Sequence, residues 1–435
     1  FGPDVYAVGG CVRDAFRGEP TGEIDLLVAR RPLDEITALL KPHGKVDLVG
    51  RSFGVLKFTV AGKTYDIALP RTDRAEARTV RGHKDIVVTA DPNLPVDKDL
   101  ERRDFRCNSI ALRLADGRMI DPFRGRRDIE RRVLRVTSAA AFPEDPLRVL
   151  RAARFAAQLG YAVDPSVYRL ARTIDLAGLS AERVTDELFK ILRSGRPSTG
   201  LDELFKLGAL RQLFPELYAL ALVIQDSVFH PEKDDFGHHT VWHHTKLTVD
   251  QARRLAGPAG LDPARTLALL LAALFHDVGK AETTHWEFKR GRMAVTSAGH
   301  DTAGERLAKK AFSRMKIFSW NGFPLRRIAL TLIRTHHRAS ELWMNRDEVT
   351  RKAFNRLAAE AEGEIELVVT LDAADRAGRR ARPALKLDRE AVWLLKRFEE
   401  LRVSRETIKL HILCRDVLQM GGRPGLGMGR LLEPL

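Results

Sequence analysis

The sequence predicts an α+β chain in which a small α/β head with a mixed sheet precedes an elongated all-α body. Three observations carry that expectation. Four short apolar runs (4–10, 23–30, 52–60 and 63–70) read as strands, with a helical stretch at 12–18 between the first two. From about residue 99 the pattern becomes a succession of Leu/Ala/Arg-rich amphipathic helices, interrupted only by a strand-like segment at 111–121. A chain of 435 residues also exceeds one compact domain. The expected divisions are a head at 1–130, a helical neck and body at 131–225, a second helical domain at 226–400 and a tail at 401–435. Gly and Pro in that tail indicate a turn before a last helix.

Composition narrows the partners. Lys and Arg number 73 against 58 Asp and Glu, a net charge of +15, which points to an anionic partner and most simply to nucleic acid. Three widely separated cysteines (Cys11, Cys107, Cys414) exclude a disulfide framework and a Cys-based zinc site. No apolar run is long enough to span a membrane and no signal peptide is visible, so a cytoplasmic location is expected. The chain begins at Phe1, which leaves room for a natural N-terminus upstream.

Residues 8–25, VGGCVRDAFRGEPTGEID, hold the parts of a phosphoryl-transfer site in order. Gly9 and Gly10 lack a Cβ and let backbone N–H groups approach a triphosphate. Arg13 adds a planar cation at the start of a helix. Glu23 and Asp25 lie two apart on a strand, so period-2 geometry turns both carboxylates to one face. Such a pair suits a hard, oxygen-seeking Mg²⁺. The polar, Gly/Pro-punctuated stretch 72–98 reads as a flexible loop region.

Two arginine-rich segments follow. In 99–112, DLERRDFRCNSIAL, helical spacing groups Arg102, Arg103, Asp104 and Asn108, with Asp104 and Asn108 as i,i+4 neighbours. In 142–155, FPEDPLRVLRAARF, Asp145 and Pro146 read as an N-cap followed by the first helical residue. Arg148, Arg151 and Arg154 then recur every three residues. Asp145 and Arg148 would set an acceptor beside a planar fork, able to bond the Watson–Crick edge of a base while the other arginines meet phosphates.

These motifs, together with DPFRGRRDI at 121–129 and ERVTDEL at 182–188, resemble the class II tRNA nucleotidyltransferases, or CCA-adding enzymes, and their poly(A) polymerase relatives. The resemblance implies a nucleotidyltransferase head in which Glu23 and Asp25 bind the catalytic Mg²⁺. It places Gly9, Gly10, Arg13, Arg103, Asp104 and Asn108 around the nucleotide, Asp145 and Arg148 as the protein template, and Arg151 and Arg154 beside them. The implied activity is template-independent addition of CCA to tRNA 3′ ends from CTP and ATP, with the basic body gripping the acceptor arm of RNA rather than DNA. Three departures stand out: Glu23 replaces the usual Asp, Arg106 and Cys107 replace Thr and Ile, and Arg124 replaces Gly. Asp66, on the YDIALPR strand, is available as a further oxygen ligand.

The helical body carries HPEKDDFGHHTVWHHT at 230–245, His276-Asp277, His300, His336-His337 and Asp375. A His-Asp doublet in an apolar helix is costly to bury without a partner, and a metal is the economical one. The order resembles HD-type phosphohydrolases, with His244, His276, Asp277 and Asp375 as metal ligands and His239 as the competing register for the first. His300 and His336 are available to complete a dinuclear site. Imidazoles plus carboxylates suit Ni²⁺, Mn²⁺, Fe²⁺ or Zn²⁺. The resemblance implies hydrolysis of 2′,3′-cyclic and 2′-phosphates. Alternatives are a poly(A) polymerase, a partial CC- or A-adding enzyme, and an HD phosphohydrolase with a non-catalytic RNA-binding head.

Overall fold

The computed structural model describes residues 2, 4–50, 54–75, 86–289, 291–380, 383–401 and 403. The chain opens with β1 (Val5–Val8), α1 (Gly10–Arg17) and β2 (Ile24–Val28), followed by α2 (Leu33–Leu40), β3 (Lys45–Gly50), β4 (Val55–Val60) and β5 (Lys63–Ala68). A hairpin of β6 (Arg71–Ala75) and β7 (Ile86–Ala90) leads into α3 (Val96–Glu101), β8 (Ala111–Arg113), β9 (Met119–Ile120) and α4 (Gly125–Arg131). Seven strands form one mixed sheet in the order β3-β4-β5-β2-β1-β8-β9, in which β2 and β5 run parallel.

The sheet is covered on both faces, which explains why β2 reads as nearly continuous apolar sequence. Val28 packs with Ile36, Leu56 and Ile67, a core closed by α2. Its neighbour Leu27 points the other way, to Tyr6, Val8 and Leu100, a core closed by α3. Asp25 shares the face of Leu27 by strand alternation, so the carboxylate stands where that second core ends.

Several expectations need correction. Residues 72–98 are not simply loop: Arg71–Ala75 pairs antiparallel with Ile86–Ala90, where Ile86, Val87, Val88 and Thr89 are strong strand formers; residues 76–85 lie outside the described residues. Segments 33–40 and 45–50, unassigned in the sequence reading, are α2 and β3. The arginine-rich segment 99–112 is not one helix. The helix stops at Glu101, and Arg106–Asn108 form a separate single turn. In α5 (Leu147–Leu159) the N-cap is Pro146, one residue later than expected, and Asp145 Oδ1 accepts from Leu147 N at 3.2 Å. The tail 404–435 lies outside the described residues.

The described residues fall into two compact units divided between Pro215 and Glu216. In the first, α5 packs against the helices Pro197–Lys206 and Ala181–Leu192. In the second, the helix Val241–Leu255 packs against Ile365–Gly378 and against Pro263–Phe275, whose residues Leu267 to Phe275 are all buried. Asp262 caps that helix by accepting from Ala264 N and Arg265 N. The helical pattern is broken by a hairpin, His285–Lys289 with Arg292–Thr296, that the sequence reading did not anticipate.

Candidate functional sites

A cavity of about 610 Å³ opens over the sheet of the first unit, and every candidate metal- or nucleotide-binding residue named for the head and the arginine helix lines it, whereas Arg106, Cys107 and Arg124 do not. Asp25 and Asp66 stand side by side on the parallel strands β2 and β5, and Glu23 sits just before β2. Burial raises the pKa of Asp25 and the nearby Asp66 and Glu23 add to the rise, against the opposing charge of Arg103. Asp66 Oδ1 makes no hydrogen bond but has Lys57 Nζ 3.5 Å away. Three carboxylates lining one cavity fit a hard divalent cation, which removes their mutual repulsion.

Gly9 is required by geometry. Its φ is 77°, and a Cβ there would stand 2.9 Å from Arg103 Nη1 and 3.6 Å from Asp25 Oδ2. Gly10 begins α1, one turn ahead of Arg13. Arg13 is 8% exposed and donates to Asn108 Oδ1 at 2.7 Å, while Asn108 Nδ2 donates to Asp104 Oδ1 at 3.0 Å. The i,i+4 contact expected of Asp104 and Asn108 is therefore made, although no continuous helix supports it.

The arginines are held by acids that the sequence reading did not single out. Asp99, fully buried, receives Arg102 Nη2 at 2.8 Å and Arg103 Nη2 at 3.1 Å. Burial alone would raise its pKa, but the two guanidiniums prevail and hold it low. Glu187 Oε2 forms an ion pair with Arg154 Nε at 3.0 Å. The Phe155 ring lies under three guanidiniums, with Arg154 at 4.2 Å and Arg13 and Arg151 each at 5.3 Å from its centre.

The fork beside Asp145 belongs to Arg183, whose Nη2 lies 3.0 and 3.2 Å from the carboxylate oxygens. Arg148 instead donates to the backbone carbonyls of Ala141 and Arg102. The expected Asp145–Arg148 arrangement is thus modified: both line the cavity, but Arg183, from the ERVTDEL segment, supplies the guanidinium beside Asp145, with Nη2 shared between its two oxygens. That segment was a visible signal for Arg183 and Glu187. For Asp99 the signal was an acid three and four residues ahead of two arginines.

In the second unit, imidazoles converge from helix ends. His244 Nε2 lies 2.7 Å from Asp375 Oδ1, His276 Nε2 lies 3.7 Å from the same oxygen, and His276 Nε2 is 3.3 Å from Asp277 Oδ2. His300 Nε2 faces Asp277 Oδ1 at 3.5 Å, His336 Nε2 at 3.3 Å and His337 Nε2 at 3.0 Å. Gly279 permits this closeness, since a Cβ there would stand 2.0 Å from the His300 carbonyl oxygen.

The ring orientations have a common cause. His276, His300 and His336 each place Nδ1 2.6–2.8 Å from the carbonyl three residues earlier, Ala273, Ser297 and Ile333. His244 Nδ1 meets Glu232 Oε1 at 2.8 Å. With Nδ1–H of His276, His300 and His336 spent on these carbonyls, their three Nε2 atoms are left to face inward. His276 Nε2 is buried without a hydrogen-bond partner. Among the described residues, three groups lie close enough to share one ion: His244, His276 and Asp375; His230, Glu232 and His244; and His300, His336 and His337. Their imidazole and carboxylate donors fit a borderline divalent metal.

His239 stands apart, its Nδ1 at 3.0 Å from the Glu232 carbonyl, so His244 is the histidine in register. Sequence reasoning missed Glu232, and it assigned no role to His230, Lys280 or Arg379. His230 Nδ1 lies 3.0 Å from Glu232, Lys280 Nζ lies 2.7 Å from Asp277 Oδ2, and Arg379 Nη2 lies 2.5 Å from Asp375 Oδ2. HPE at 230–232 was the available hint for the first two of these residues.

The fold and the two sites define a nucleotidyltransferase head and an HD domain on one chain. Residues 5–135 match the family model of the Poly A polymerase head domain, 169–220 that of the "Probable RNA and SrmB- binding site of polymerase A", and 241–379 that of the HD domain. The Multifunctional CCA protein of Xanthomonas campestris is 39% identical over 349 residues, covering 78% of this chain and 77% of that protein. Its counterpart in Methylococcus capsulatus is 38% identical over 352 residues, covering 78% and 73%. The chain belongs to this family, the class II CCA-adding tRNA nucleotidyltransferases with an HD domain. The fold extends to the Bacillus stearothermophilus CCA-adding enzyme in complex with CTP, with a TM-score of 0.61, 23% identity, and coverage of 99% of this chain and 87% of that one. Among the described residues no helix is long and apolar enough to cross a membrane.

Proposed function

We propose that the head cavity adds C, C and A to the 3′ end of tRNA, choosing each nucleotide with protein side chains, and that the HD domain is a metal-dependent phosphohydrolase. The observation that carries the first part is the gathering of the three carboxylates, Gly9 and the arginine helix around one cavity. Glu23, Asp25 and Asp66 would hold Mg²⁺, which when bound supplies Lewis-acid polarisation of the α-phosphate and a lowered pKa for the attacking 3′-hydroxyl. Gly9 and Gly10 offer backbone room to the triphosphate, and Arg103 and Arg13 balance its charge. Asp145 presents the acceptor toward the base edge, steadied by Arg183, while Arg148 fixes the entry of α5 against the 141 and 102 carbonyls. Arg151 and Arg154, held by Asp104 and Glu187, line the remaining wall. The CTP, ATP and tRNA complexes of structural relatives support this reading of the substrates.

In the HD domain His244, His276, Asp277 and Asp375 would hold Ni²⁺, Mn²⁺, Fe²⁺ or Zn²⁺, with His300, His336 and His337 as a second group. Lys280 and Arg379 place cations where a phosphate ester would enter. A cytoplasmic location goes with this reading, and the buried free thiols of Cys11 and Cys107 fit a reducing compartment. The test is separation of the two sites. Asp25→Ala should abolish incorporation of CTP and ATP into tRNA while hydrolysis of 2′,3′-cyclic AMP survives. Asp277→Ala should do the reverse, and joint loss in either variant would contradict two independent sites.

A further inference from the structure

The hairpin His285–Lys289/Arg292–Thr296 leaves the chain between two residues of the histidine–aspartate cluster, Asp277 and His300. It is a two-stranded sheet on its own. Trp286 faces Val295 across the ladder and Phe288 faces Met293, so these four side chains share one face. Trp286 is 67% exposed, Phe288 71% and Met293 53%. Large apolar side chains grouped on one exposed face mark a binding surface more often than chance.

That face runs into the HD cavity. Val295 is part of the cavity wall, as is Phe229, itself 60% exposed. Arg292 Nη2 anchors the hairpin to Asp226, also on the wall, at 2.9 Å. Thr284 and Ser297 close the base of the hairpin through a 2.8 Å hydroxyl contact. Lys280 and Arg379 also line the cavity, and Arg379 Nε is buried without a hydrogen-bond partner.

The cavity is about 200 Å³ and open on one side. That is below the roughly 300–1,000 Å³ of pockets that enclose a whole small ligand, so a nucleotide seated by its phosphate would extend through the opening. The aromatic face adjoins that cavity through Val295. Side chains two apart on a strand are spaced by roughly 7 Å, a distance that lets splayed successive bases each meet a ring. We propose that the exposed aromatic face of this hairpin is a stacking platform for the last bases of an RNA strand whose terminal phosphate enters the HD cavity. The proposal rests on the phosphohydrolase reading and adds the surface, outside the histidine–aspartate cluster, that would hold the bases.

The test uses the full chain and the variant W286A/F288A, which changes neither wall nor cluster residues. The probe is the trinucleotide CpCpA ending in a 2′,3′-cyclic phosphate, titrated against chelator-treated protein. Two stacked bases at the lower figure of about 1 kcal/mol each correspond to roughly 30-fold weaker binding in the variant. With metal restored, kcat/KM for the trinucleotide should fall by a similar factor, while that for base-free glycerol 1,2-cyclic phosphate stays within twofold. Equal trinucleotide binding by both proteins overturns the proposal, as does an equal loss on the two esters. A wild-type dimer that becomes a monomer in the variant, with RNA binding unchanged, also overturns it and assigns the face to a second copy. If wild-type protein hydrolyses neither ester yet the 30-fold binding difference is found, the platform stands and the phosphohydrolase reading falls.

Discussion

Asp104→Asn is the sharpest probe of how the arginine wall is held. Asp104 is 6% exposed, receives Arg151 at 2.6 and 2.7 Å, and accepts from Asn108 Nδ2 at 3.0 Å and Phe105 N at 2.8 Å. Burial would raise its pKa, but the Arg151 charge and these hydrogen bonds bring it down to about 2. The gap from the ordinary value of 3.8 corresponds to about 2 kcal/mol of stability from the ionised form. A depressed carboxylate contributes fully above its unfolded pKa and loses the contribution as pH falls through the folded one. The wild-type advantage over Asp104→Asn should therefore be complete above about pH 5 and close between about pH 4 and 2. For a unit of this size about 2 kcal/mol lowers Tm by roughly 4–8 °C. Calorimetry at pH 7, 4 and 3 reads the difference directly. A gap below 1 °C at pH 7, or one that stays constant down to pH 3, would refute the argument.

Two further substitutions test other links. Arg183→Ala removes the fork from Asp145 and should lower discrimination between CTP and ATP about tenfold, with the Kd for tRNA changed less than twofold; parallel loss of tRNA binding would contradict a role in base choice. Glu232→Gln weakens the hold on His244 Nδ1 and should reduce metal affinity of the HD domain 10- to 100-fold, the usual effect of losing a partner that orients a ligand. Isothermal titration with Ni²⁺ measures it, and unchanged affinity would show that Glu232 does not orient the ring.

Much of the head is legible because its signals are local. The apolar alternation of β1, β4 and β5, the Gly-Gly before α1 and the acid pair around β2 lie within a few residues of each other. What stays hidden is long-range pairing. Asp104 meets Arg151 across 47 residues and Asp145 meets Arg183 across 38, and no local periodicity joins them. The orientation of Arg148 is a rotamer choice set by the carbonyls of Ala141 and Arg102, which spacing along one helix does not encode. In the second unit the metal-type residues are recognisable by chemistry alone, whereas Glu232 acts through His244 and carries no spacing signature. The 285–296 hairpin is hidden for another reason: HWEFK and RMAVT are too short to outweigh the helical pattern on both sides.

The central claim is that this cavity builds CCA without a nucleic-acid template. The most direct measurement incubates the protein with tRNA ending at the discriminator base, CTP, ATP and Mg²⁺, and sequences the 3′ ends. The structure predicts ends of CCA and no longer, with CC when ATP is withheld. Long A tails, or incorporation of a single nucleotide type from the mixture, would contradict it.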